Sequence, residues 1–156
     1  MGLAKGRRGW LIGVAPALLV MGCSFYMADP IVPQTRLRAS LDGAQVVPPT
    51  DSRGSGWFEG VYQPSTRVLE YRLNLVGLSG PPTIGHLHGP ASAGGADDKV
   101  APIDIPFYRF DSSIWDGVTL TPAQAADLVA GRWYVTVSTI RHPEGEIRGR
   151  LLPVGR

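Results

Sequence analysis

Cysteine is nearly absent. Cys23 is the only one among 156 residues, so no intramolecular disulfide is available to staple the chain. Histidine is scarce too, with three, and charged residues make up only 18%. The formal charge of +2 overstates the basic character. Lys5, Arg7 and Arg8 lie in a leader, and without them twelve basic side chains face thirteen acidic ones, a net of −1. A near-neutral domain has no broad electrostatic footprint for a phosphate backbone, which argues against a nucleic-acid partner. Motifs of catalysis are missing as well. There is no Ser nucleophile elbow, and Arg53-Gly-Ser-Gly56 lacks the Lys-Ser/Thr of a phosphate-binding loop. No motif supports a carboxylate pair for glycoside hydrolysis, and no repeat with a period of 20–50 residues occurs. The balance is against an enzyme.

What is present begins with an export signal over residues 1–22. Lys5, Arg7 and Arg8 form a positive n-region, and Trp10 to Met21 forms an apolar h-region of a dozen residues. That run is too short for a bilayer span, which needs about 20 apolar residues. The segment Val20-Met21-Gly22-Cys23 resembles a bacterial lipobox, with Met21 where a smaller residue is usual, and places lipidation on Cys23. The other reading of the segment is an ordinary secretory leader with an incidental Cys. Arg7-Arg8 fits a twin-arginine as well as a general export route, and either delivers the mature chain outside the cytoplasm. Residues 23–35 read as a tether, with Pro30 and Pro33 and no periodicity.

Residues 36–153 form the domain. Gly (20) and Pro (14) are numerous, which with dispersed Val, Thr, Tyr and Trp predicts short strands joined by turns. Leu37, Ala39 and Leu41 alternate with Arg36, Arg38 and Ser40, a half-buried strand. Asp42-Gly43 turns it, and Val46-Val47-Pro48-Pro49 is expected to run on as an extended edge. Trp57 to Tyr62 is strand-like. In the next strand Leu69, Tyr71, Leu73 and Leu75 form one face. Val100 to Phe107 is a further strand interrupted by Pro102 and Pro106. Thr121-Pro122 is an N-cap followed by Pro at the first helical position; the helix runs to Ala130 and Gly131 ends it. Trp133 to Ile140 and Glu146 to Leu152 are the closing strands. The expected architecture is all-β, an antiparallel two-sheet sandwich with one short crossover helix.

The chemistry-bearing stretch is Pro81-Pro82-Thr83-Ile84-Gly85-His86-Leu87-His88-Gly89-Pro90. On a strand, residues two apart share a face, so His86 and His88 project together while Leu87 points the other way. Such a pair is a two-point chelate, since neutral imidazole is the commonest metal ligand. With His142 it would make a three-histidine site for copper or zinc; Asp97, Asp98 or Asp104 could add a carboxylate. The alternative is that both imidazoles form hydrogen bonds at a strand end. Glu146 and Arg148, also two apart, read as a structural ion pair that fixes strand register, with the turn Asp42-Gly43 as a further partner within reach. Trp57, Trp115 and Trp133 read as core or edge aromatics in preference to a sugar-stacking platform.

The order of motifs resembles the CHRD domain, named after chordin and found free-standing and exported in bacteria. It runs Leu37-x-Ala-x-Leu41-x-Gly-Ala-Gln-Val-Val-Pro-Pro49, Leu69-x-Tyr-x-Leu73 with Gly77-Leu78, and Gly85-His-Leu-His-Gly-Pro90. Leu120-Thr-Pro, Leu128-Val-Ala-Gly-Arg-Trp-Tyr134-Val and Pro143-Glu-Gly-Glu-Ile-Arg-Gly-Arg150 follow. The resemblance covers about Arg36 to Leu152. It implies an immunoglobulin-like β-sandwich or barrel, related in outline to copper-zinc superoxide dismutase, and no established enzymatic activity. A dismutase site itself needs more imidazoles than this chain has. Family members usually carry His in a Tyr-Val-Asn-x-His-Thr segment, where this chain reads Tyr134-Val-Thr-Val-Ser138-Thr139. Ser138 thus stands in the histidine's place, and His142 lies four residues on. The expected protein is an exported, lipid-anchored binding module on the periplasmic or outer face of the envelope, with an unidentified protein or envelope partner. The other reading is a periplasmic copper or zinc protein.

Overall fold

In the computed structural model, the described residues are Gly2, 33–90, 99–105 and 113–155. The rest of the leader, Cys23 and most of the tether lie outside them, as do Asp97, Asp98, Pro106 and Phe107. Among the described residues eight strands follow in chain order: β1 (Thr35–Asp42), β2 (Ser55–Gln63), β3 (Val68–Val76), β4 (Pro82–His88), β5 (Lys99–Ile103), β6 (Ile114–Thr119), β7 (Trp133–Thr139) and β8 (Ile147–Val154). A short helix, α1 (Pro122–Val129), connects β6 to β7. Every ladder is antiparallel, in the order β5-β4-β7-β8-β1-β2-β3-β6. The result is the expected all-β sandwich, rolled into a nearly closed barrel.

Alternation decides which side chains fill it. Leu37 and Leu41 of β1, and Leu69, Tyr71, Leu73 and Leu75 of β3, are all buried, as the period of two requires. Phe58 of β2 stacks on Tyr71, with ring centres 5.1 Å apart. Leu87, Trp133, Val135 and Ile147 complete the same core from the other half. The two halves join where β1 meets β8, paired at Arg36↔Val154 and again at Asp42↔Arg148. Between those points Gly149 lets the backbones approach, since a Cβ there would lie 2.5 Å from the Ser40 carbonyl oxygen.

The helix forms where expected. Thr121 Oγ1 accepts from the Gln124 amide at 3.3 Å and Gln124 Oε1 accepts from the Thr121 amide at 2.9 Å, a reciprocal capping box. Gly131 follows with φ +68°, the left-handed conformation that ends a helix cheaply only at glycine.

One expectation needs correcting, and one strand had not been expected. Val46 to Pro49 is not an edge strand. Asp42 caps a 3₁₀ turn at Gly43–Gln45, accepting from the Gln45 amide at 3.0 Å, and bends follow. Pro48 and Pro49 have no N–H to give a ladder, and β1 is already paired on both sides. The edges are instead β5 and β6. β5 carries Pro102, tolerable there because an edge strand leaves one row of N–H groups unpaired. β6 had no sequence signal. Its Asp116 and Gly117 are exposed and break the alternation that marks a strand.

Candidate functional site

β4 lies between β5 and β7, and its alternation sorts the His-x-His stretch as expected. Gly85 and Leu87 face the core, whereas His86 and His88 point outward and are half-buried. Across the ladder His86 sits opposite Thr136 and His88 opposite Tyr134. The two imidazoles stand side by side with ring centres 5.7 Å apart, tilted by 58°. His88 stacks on Tyr134, with ring centres 4.6 Å apart and planes within 4°. The guanidinium carbon of Arg148 lies 3.6 Å from the centre of the Tyr134 ring. Imidazole and guanidinium would collide on a single side of the ring. They must therefore sandwich it, which fits the β4-β7-β8 order. Burial, and then the Lys99 ammonium, hold His86 below its ordinary pKa of 6.5, so its imidazole is neutral at physiological pH.

His142 is placed elsewhere. The β4–β7 ladder runs from His88↔Tyr134 to Pro82↔Thr139, and His142 follows three residues past that second end. Its carbonyl oxygen accepts from the amides of Thr139 at 3.2 Å and Gly145 at 3.1 Å. Among the described residues, no group of three or more His, Cys, Asp or Glu is placed to hold a metal ion. Asp104 is exposed beyond the end of β5. Ser138 is buried on β7, opposite Ile84.

Glu146 immediately precedes β8 and is fully buried, at 0% exposure. Its carboxylate receives four hydrogen bonds. Ser52 Oγ donates to Oε1 at 2.6 Å, and the Ser79 amide donates to the same oxygen at 2.7 Å. Ser79 Oγ donates to Oε2 at 2.7 Å and Thr139 Oγ1 at 2.6 Å. Its backbone is pinned as well: the Thr50 hydroxyl donates to the Glu146 carbonyl at 2.8 Å, and the Glu146 amide donates to the Val137 carbonyl at 2.7 Å. Burial pushes the carboxyl pKa up, but the donations from Ser52, Thr139 and Ser79 outweigh it and hold it below 4.5. A buried anion results, tying together the loop before β2, the β3–β4 link and the β7–β8 connection. Sequence spacing paired Glu146 with Arg148 and did not reveal these hydroxyl partners, which lie up to 94 residues away.

The three tryptophans expected in core or edge positions divide. Trp133 is buried; Trp115 is on edge strand β6 and 72% exposed. Trp57, on interior strand β2, is 48% exposed on the outer face and is neither core nor edge.

An all-β module of this strand order, with a His-x-His rim and a buried carboxylate hub, is the class that the geometry defines. The chain matches the family model of the CHRD domain over residues 37–151, and it belongs to that family. A comparison with curated proteins and another with solved structures return no match.

Proposed function

We propose that this chain is an exported, lipid-anchored CHRD module of the cell envelope that works by binding and not by catalysis. The observation that carries the reading is the order of its parts. A basic n-region, a short apolar run and Val20-Met21-Gly22-Cys23 stand ahead of a proline-containing tether and a CHRD domain. The buried carboxylate supports the second half of the reading. Both oxygens of Glu146 are occupied by donors and the group is held ionised, which suits an anchor and gives it no proton to exchange with a substrate. Replacing Cys23 by Ser tests the anchor. The variant is expected in the soluble extracytoplasmic fraction while the parent chain sediments with membranes, and unchanged membrane partition refutes lipidation.

A further inference from the structure

The outer face of the β1-β2-β3-β6 half carries an open groove of about 290 Å³, away from the histidine rim. The register builds it. Arg38, Glu59, Arg72 and Trp115 form one row across the four strands and Arg36, Val61 and Glu70 the row beside it; Trp57 and Asn74 stand on the same face just outside the groove, on the other side of the first row. The two exposed indoles belong to β2 and β6, with only β3 between them, so they stand two strand spacings apart, ~10 Å across the sheet.

β3 supplies what lies between the indoles. The Arg72 guanidinium carbon is 5.2 Å from the centre of the Trp115 ring. One terminal nitrogen donates to Ser113 Oγ at 2.7 Å, while its Nε is buried without a partner. Asn74 is only 7% exposed. Its Oδ1 accepts from Ser113 Oγ, and its Nδ2 is likewise buried without a partner. Both orphaned donors lie beneath the accessible surface, a costly arrangement that an acceptor admitted by a shift of the Arg72 side chain would relieve. The charge on this face points the same way. Arg36, Arg38 and Arg72 outnumber Glu59 and Glu70, and Arg38 neutralises Glu59 at 3.5 Å.

We propose that this face binds an acidic polysaccharide. Apolar faces of the sugar rings would stack on Trp57 and Trp115, and a carboxylate and hydroxyls would accept from Arg72 and Asn74. The inference names a ligand for the binding module proposed above and rests on that reading. Affinity electrophoresis of the full chain in non-ionic detergent, through gels containing alginate or neutral hydroxyethylcellulose, tests it. Alginate is expected to retard the chain, and Trp57→Ala with Trp115→Ala to weaken that retardation roughly tenfold or more. The variant's unfolding midpoint, measured alongside, shows whether the fold is kept while the retardation is lost. Arg72→Gln weakens retardation by alginate as well. Unretarded migration in alginate, retardation indifferent to the tryptophans, or retardation by the neutral polymer alone overturns the proposal. A chain that fractionates with membranes through Cys23 yet passes unretarded loses this inference and keeps the anchor.

Discussion

Ser79 grips Glu146 twice, its amide on Oε1 and its hydroxyl on Oε2, each at 2.7 Å. A single residue of the β3–β4 link thereby fixes the geometry at the entrance to the histidine strand. Ser52 and Thr139 complete the cradle from two other connections. Glu146→Gln turns one acceptor into a donor facing donors, and is expected to cost ~1–3 kcal/mol. Glu146→Ala leaves all four donors without their acceptor and costs more. Urea unfolding at pH 7 measures both.

The pH dependence follows with its sign. The Glu146 carboxyl is held below its ordinary 4.5 in the fold. Its contribution to stability is complete above that value and is lost as pH falls through the folded pKa. His86 is also held below its ordinary value, 6.5, with burial first and Lys99 second. The fold prefers the neutral ring, so this contribution too is complete above 6.5 and declines as pH falls toward the folded pKa. Unfolding midpoints measured against pH should rise from acid toward neutrality in two windows. His86→Gln removes the upper one and Glu146→Gln the lower.

Gly89 ends the histidine strand against Trp133. A Cβ there would collide with the indole at Cδ1 and Nε1, and Trp133 is fully buried. Gly89→Ala is expected to destabilise the domain by ~1–3 kcal/mol, as overpacking does. A red shift of the Trp133 fluorescence and a lowered unfolding midpoint check this.

Metal content separates the binding reading from the chelate reading. Protein purified without an affinity tag is expected to carry substoichiometric copper and zinc, with uptake unchanged in the His86→Ala, His88→Ala variant. About one ion per chain, lost on that replacement, would identify a two-imidazole chelate.

The alternation of β1 and β3 was legible in the sequence, because Leu37 to Leu41 and Leu69 to Leu75 obey a period of two. So was the shared direction of His86 and His88. The helix announced itself through Thr121-Pro122 and Gly131. Register was not legible, and the site depends on it. That His88 faces Tyr134, or that Arg72 falls in line with Trp115, follows from pairings between distant segments. Glu146 shows the same limit: Arg148 is its near neighbour in the chain, whereas Ser52 and Ser79 reach it only once the strands have assembled. β6 escaped notice because an edge strand can expose Trp115 and Gly117 without penalty.

The final strand occupies the middle of the ladder, flanked by the first and by β7. Until it arrives the barrel has an open seam, and the opening strand is missing one of its two neighbours. Closure waits on residues more than a hundred positions apart, a high-contact-order step and a slow one. A chain cut short before that strand would leave β1 and β7 each without a neighbour, and would split the sheet into two halves of three and four strands.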